Sequence, residues 1–177
     1  MIVTMKHSSF YTLSIFCLSL WAMSCGSDDE PQPTQPAATI QQENIVGNAA
    51  QPHWSLPEDI DMTSSMTAVV SVDLLLTYPQ QVADFCSQTG NDRIADEADR
   101  LAAFSGETCV GVAQYTDGLF FLYVTRPPVS QPLTLHYYSA KLHNIFVAEN
   151  VCTFEPDATK GAVSAPLTPA FRMKDNN

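Results

Sequence analysis

Cys25, Cys86, Cys109 and Cys152, with His53, His136 and His143, are among the side chains of this 177-residue chain whose types could carry covalent or metal chemistry. A thiolate nucleophile needs a base within reach, and the residues around these cysteines show no thiol-enzyme signature. Zinc favours ligands in close pairs such as C-x-x-C, and that spacing does not occur. Asp92, Asp96, Glu97 and Asp99 offer oxygen atoms to a hard cation, but they lack the glycine-punctuated spacing of a calcium loop and read as a solvated acidic face. The nucleophile elbow G-x-S-x-G, the zinc motif H-E-x-x-H, a P-loop and a dinucleotide fingerprint are all missing. The sequence therefore implies no catalytic set, no metal and no cofactor, and a hydrolase is the third reading at most.

Positioning is the next question, and the pattern is β-rich. Met66–Leu76 and Leu119–Val124 are dense in Val, Leu and Phe and read as strands. Cys109–Tyr115 is joined to the second of these through Thr116, Asp117 and Gly118. An Asp-Gly between two apolar runs is a strong hairpin signal. Pro127 and Pro128 cannot continue a ladder. In Leu133–Ala140 the alternation puts Leu133, Leu135 and Tyr137 on one face and Thr134, His136 and Tyr138 on the other. His136 is expected at the surface or a sheet edge, and His143 in a turn. Asn144–Ala148 and Val151–Phe154 bracket a turn expected at Glu149-Asn150. Short strands at this spacing predict an all-β fold, an antiparallel β-sandwich of immunoglobulin-like or related type. Thr77–Asp99 is long for a connection and has room for a short helix. Over Asn91–Phe104, Ile94, Ala98, Leu101 and Ala102 fall at helical spacing, a local helix signal.

The N-terminal residues speak to location. Lys6 precedes an apolar run from Phe10 to Ala22 that is too short to span a bilayer core of about 20 residues. Ala22, Met23 and Ser24 then lead into Cys25. This arrangement resembles the lipobox of bacterial lipoproteins and implies a signal peptide over 1–24 with Cys25 as the lipidated residue. Asp28, Asp29 and Glu30 resemble the acidic export signal of Bacteroidetes-type surface lipoproteins. That implies an outer-membrane lipoprotein displayed at the cell surface, with a periplasm-facing position as the alternative. From Asp28 to Gln51, Pro, Gln, Asn and Ala dominate without hydrophobic period. Residues 25–51 are thus expected to be a disordered tether, dispensable for folding, and 52–177 a single domain. The formal net charge of −11 disfavours nucleic acid and anionic lipid as partners, leaving the membrane, through the lipid, and a glycan or envelope protein.

A further resemblance rests on "MTAVVSV", "DRLAAFSGETCVGVAQY", "LFFLYV" and "LHYYSAKLHNIFVAE". These stretches resemble a small all-β domain of Bacteroidetes secreted and surface proteins with an AAFxGxxCxGVA hairpin and no established activity. The chain departs from that pattern at Val110, where Arg is usual, at Ser139, where Asp is usual, and in the longer Thr77–Asp99 segment. The resemblance implies that Arg100–Phe104 is a strand. It accounts for Cys109 alone, so Cys86 and Cys152 are additions, most simply paired as a disulfide that leaves Cys109 a buried thiol.

Aromatic residues crowd the later strands. Core packing uses such residues first. Trp54, at the start of the domain, and Tyr138, on the face opposite Tyr137, are the candidates for stacking on a ligand. Three structural outcomes separate the readings. A flat exposed aromatic patch favours a binding module. A long uncovered apolar edge strand favours a structural or assembly subunit. A deep pocket with convergent polar groups favours an enzyme.

Overall fold

The computed structural model describes residues 43–174; the signal peptide expected over 1–24 and the lipidation expected at Cys25 lie outside the described residues. The strands are β1 (Ser65–Val70), β2 (Arg100–Ser105), β3 (Thr108–Thr116), β4 (Leu119–Thr125), β5 (Pro132–Ser139), β6 (Asn144–Thr153), β7 (Thr159–Lys160) and β8 (Arg172–Met173), with one helix, α1 (Pro79–Thr89). The fold is all-β in character. The strands form one sheet in the order β7-β1-β4-β3-β2-β5-β6-β8, antiparallel throughout except between β1 and β7. Two facing sheets were expected; a single sheet curled around its own core replaces them.

The curl follows from chain length. Leu167 bonds to the outer edge of β1, and Arg172 pairs with Val147 of β6 on the far side of the sheet. Laid flat, seven interstrand gaps of about 4.8 Å would separate those positions by about 34 Å. The five residues from Leu167 to Arg172 reach at most about 18 Å. The sheet must therefore close toward a half-barrel, with this segment as a chord across its mouth. Irregular registers between Ala103 and Phe104, and between Leu133 and Leu135, supply local bends. The inner face is packed with Met66, Val70, Leu101, Val110, Phe120, Val124, Leu133, Tyr137 and Phe146. Phe171, on the chord, is fully buried with its ring 5.7 Å from that of Tyr137.

The hairpin between β3 and β4 turns at Asp117 and Gly118, both at positive φ (51° and 85°), the backbone of a two-residue I′ turn. The Thr77–Asp99 segment holds its helix early: Pro79 starts α1 and Gly90, at φ 70°, caps it. Arg100–Phe104 is strand, as the resemblance implied and against the local helical spacing. β2 is a central strand buried on both faces, and such strands read as continuous apolar runs. The turn expected at Glu149-Asn150 is instead a bulge inside β6. Leu133 pairs with Cys152 and Leu135 with Ala148, while Asn150 takes φ 53°. Met66–Leu76 is strand only to Val70, and Leu74–Leu76 forms a 3-10 turn capped by Asp73.

The boundary expected at Gln51 also moves. Ile45 is 2% exposed within the main core. The Gly47 N–H donates to the Leu142 carbonyl (2.8 Å), and the Ala49 N–H to that of His143 (2.7 Å). A Cβ on Gly47 would lie 2.9 Å from the His143 carbonyl oxygen, so only glycine permits this approach. One isoleucine in a polar run gives no periodic signal, which hid this packing in the sequence. Ile45→Ala is expected to cost about 2–3 kcal/mol in urea unfolding, and a chain beginning at Ala50 should be destabilised at least as much. Wild-type stability in that shortened chain would show that the segment is a passive tether.

Candidate ligand-binding face

The outer face of the sheet is an unbroken register. Thr159, Thr67, Tyr123, Val112, Ala102, His136, Val147 and Arg172 follow one another across all eight strands. Alternation puts these side chains opposite the core. The two halves of the row differ in what covers them. Over β2 and β5 the N-terminal strap lies close: the Gln51 side-chain amide donates to the Ala98 carbonyl, and Trp54 packs on Ala102, Phe104 and Cys109. His136 stacks on Phe104 with ring centroids 4.3 Å apart, and Trp54 meets both rings edge-on at 6.0 and 6.1 Å. Burial, and secondarily the charge of Lys174, lower the His136 pKa to about 4. The imidazole is therefore neutral at pH 7, packed against the Phe104 and Trp54 rings.

Over β4, β3 and Thr67 of β1 the face is open, while Val69 of β1 and Thr125 of β4, on the same face, are buried. Val112, Phe121 and Tyr123 are exposed by 37%, 40% and 43%. Val112 sits opposite Tyr123, and Val69 and Gln114 flank Phe121 on its two sides. Thr67, opposite Tyr123, shares a hydroxyl hydrogen bond with Thr159 at 3.1 Å. The "LFFLYV" run alternates Phe120, Leu122 and Val124 inward with Phe121 and Tyr123 outward. Both sets are apolar, so the sequence does not reveal which half stays uncovered.

Trp54 serves as a half-buried cover for the sheet, fixed by contacts to Phe104 and His136, rather than as a free platform. Tyr138 is 4% exposed, which removes it as a stacking surface. The strap's bonds to His143 and Ala98 fall on either side of its row, at the ends of β6 and β2 next to it. His136 lies on an interior strand rather than at the surface or an edge, and His143 is in a turn at φ 48°.

Cys86 and Cys152 are free thiols, and the bridge expected between them is not formed. Both pack against the main core, and α1 is fixed by its caps and by Tyr78 and Val82 without a covalent staple. Cys109 is also free, and burial pushes the thiols of Cys109 and Cys152 up, away from the thiolate form.

Asp99 departs most from expectation. It is 1% exposed, not part of a solvated face. Its carboxylate accepts from the Tyr137 hydroxyl (2.6 Å) and from the backbone N–H groups of Ala140 (2.8 Å) and Asp96 (2.9 Å). Burial raises its pKa, opposed by the Tyr137 bond. Asp99 shares the inward parity of Leu101 and Ala103, the one sequence signal that could have found it. Asp96 meets Lys141 at 3.6 Å, so the acidic segment is pinned to the β5–β6 turn.

A cleft of about 470 Å³ opens between the loop at residues 57–61 and Pro127–Pro128. Half of its lining is proline and Ile60; Asp59, Asp61, Thr108 and Arg126 make up the rest, with Arg126 and Asp61 paired at 3.6 Å. Among the described residues, no group of three His, Cys, Asp or Glu is placed to hold a metal. Compared with known proteins, the chain finds no matching family model, no matching curated protein and no matching solved structure.

Proposed function

We propose that this chain is a lipid-anchored binding module of the bacterial cell envelope, tethered through Cys25 and presenting the open outer face of β1, β4 and β3 to a glycan or protein ligand. One observation carries the binding half: Phe121 and Tyr123 stand exposed side by side with Val112 on the outer face of the curled sheet. The anchoring half rests on the lipobox-like residues Ala22–Cys25 and the acidic cluster behind them. Display at the outer-membrane surface follows from that cluster.

The alternative, assembly through a sheet edge, has less to stand on. The outer edge of β1 is bonded along its length, with Asp157, Ala158 and Leu167 pairing to Ser65, Thr67, Val69 and Ser71. The opposite edge is partly closed by β8 on β6.

The test uses the full chain in a lipoprotein-competent bacterium, with a photo-crosslinking residue at position 121 and a control at exposed Val163. Adducts with a glycan or envelope protein are expected at 121 and not at 163, and labelled fatty acid should enter the wild type but not Cys25→Ala. Identical adducts at both positions would remove the binding face, and label retained in Cys25→Ala would remove the anchor.

A further inference from the structure

We infer that the ligand of the outer face is an uncharged saccharide chain, held by pyranose rings stacking on Tyr123 and Phe121; this rests on the binding-face reading above. Size comes first. An aromatic side chain presents roughly 200 Å². With about two-fifths of each ring exposed, the strip including Val112 amounts to roughly 200 Å². A stable protein interface takes about 800 Å² per partner, so the strip suits one or two rings and falls far short of a second copy of this chain.

Charge is the second argument. The chain carries a formal net charge of −11, yet the residues framing the strip in the register, Thr67, Val69, Ala102, Gln114 and Thr159, are all uncharged. Along β4 the nearest charges, Asp117 and Arg126, stand beyond its two ends. On β2, Arg100 shares the outer face two residues from Ala102, and its guanidinium is engaged by the Glu97 and Asp99 carbonyls. An ionic ligand would find no counter-charge within the strip. A neutral polyhydroxylated ligand would find ring faces of negative quadrupole for its polarised C–H groups. It would also find neutral donors and acceptors at Gln114, the Tyr123 hydroxyl and the Thr67 hydroxyl.

Shape is the third. Residues two apart on one strand face stand about 7 Å apart. Phe121 and Tyr123 thus make a strip two aromatic residues long, running from half-buried Leu119 to buried Thr125, the length of one or two pyranose rings laid along β4.

The purified full chain is titrated with cellohexaose, laminarihexaose, xylohexaose, mannohexaose and chitohexaose, and with hexagalacturonate and a mixed-sequence peptide pool as controls. Calorimetry and the NMR signals of the Tyr123 ring and the Gln114 amide report binding. At least one neutral hexaose is expected to bind and to shift both signals. Tyr123→Ala or Phe121→Ala should weaken it about tenfold, with the amide spectrum outside the strip unchanged. Failure of every neutral hexaose overturns the inference. Shifts at Tyr123 with only hexagalacturonate or peptide overturn the saccharide class while the binding face stands. Hexaose binding indifferent to both substitutions overturns the class and the face together.

Discussion

Replacing Phe171 with alanine is expected to lower the unfolding free energy by about 4 kcal/mol, the middle of the range for a fully buried aromatic ring. The side chain is 0% exposed and packs beside Tyr137. Its position adds to the effect. It lies on the chord between Leu167, which bonds to β1, and β8, which pairs with β6. Loss of the plug weakens the hold on both edges at once. Urea unfolding of Phe171→Ala against Phe121→Ala makes the comparison, since Phe121 is the same residue type at 40% exposure. Phe121→Ala should cost well under half as much. Equal costs would mean that the chord is not what closes the fold.

Asp99→Ala should cost about 3 kcal/mol, because it strands the Tyr137 hydroxyl and two backbone N–H groups in a buried place. The pH dependence carries a sharper signature. Burial raises the folded-state pKa of Asp99 above its ordinary value of 3.8. The folded chain then holds that proton more tightly than the unfolded one. The resulting stability is fully present below the unfolded value and is lost as pH rises through the folded one. His136 acts in the opposite sense. Its folded value of about 4 lies below the ordinary 6.5, so its contribution is present above pH 6.5 and is lost as pH falls toward 4. Wild-type stability is expected to decline from pH 6.5 to 4. His136→Gln should flatten that decline, and Asp99→Asn should steepen it. Denaturant midpoints across this range measure both slopes. A steeper decline in His136→Gln would contradict the aromatic sandwich, and a flatter one in Asp99→Asn would contradict the buried carboxyl.

Local chemistry made much of the β architecture legible, and long-range closure hid the rest. The Asp117-Gly118 turn, the stop at Pro127-Pro128 and the inward set Leu133, Leu135 and Tyr137 are properties of a few neighbouring residues. The single sheet was not legible, because the segment that forces its curl, Leu167 to Arg172, carries no strand pattern of its own. Tyr138 and Trp54 show the same limit. Alternation puts Tyr138 on the outer face, where it is nonetheless buried, and the strap that covers nearby Ala102 and Phe104 through Trp54 has no periodicity. Phe121 and Tyr123 remain exposed only because that cover falls on β2 and β5, and nothing within "LFFLYV" records it.

Translation proceeds from the N-terminus, so residues 157–173 leave the ribosome after every other strand of the sheet. At roughly 5–20 residues per second they arrive about a second or more after β6. During that interval Ser65, Thr67 and Val69 have no partner on the outer side of β1, and the interior behind them lacks Phe171. Such an edge is a template for pairing with another chain. The emerging sheet is thus most open to edge-to-edge pairing between the formation of β6 and the arrival of residues 157–173, and whatever shields it must stay bound until those residues have joined.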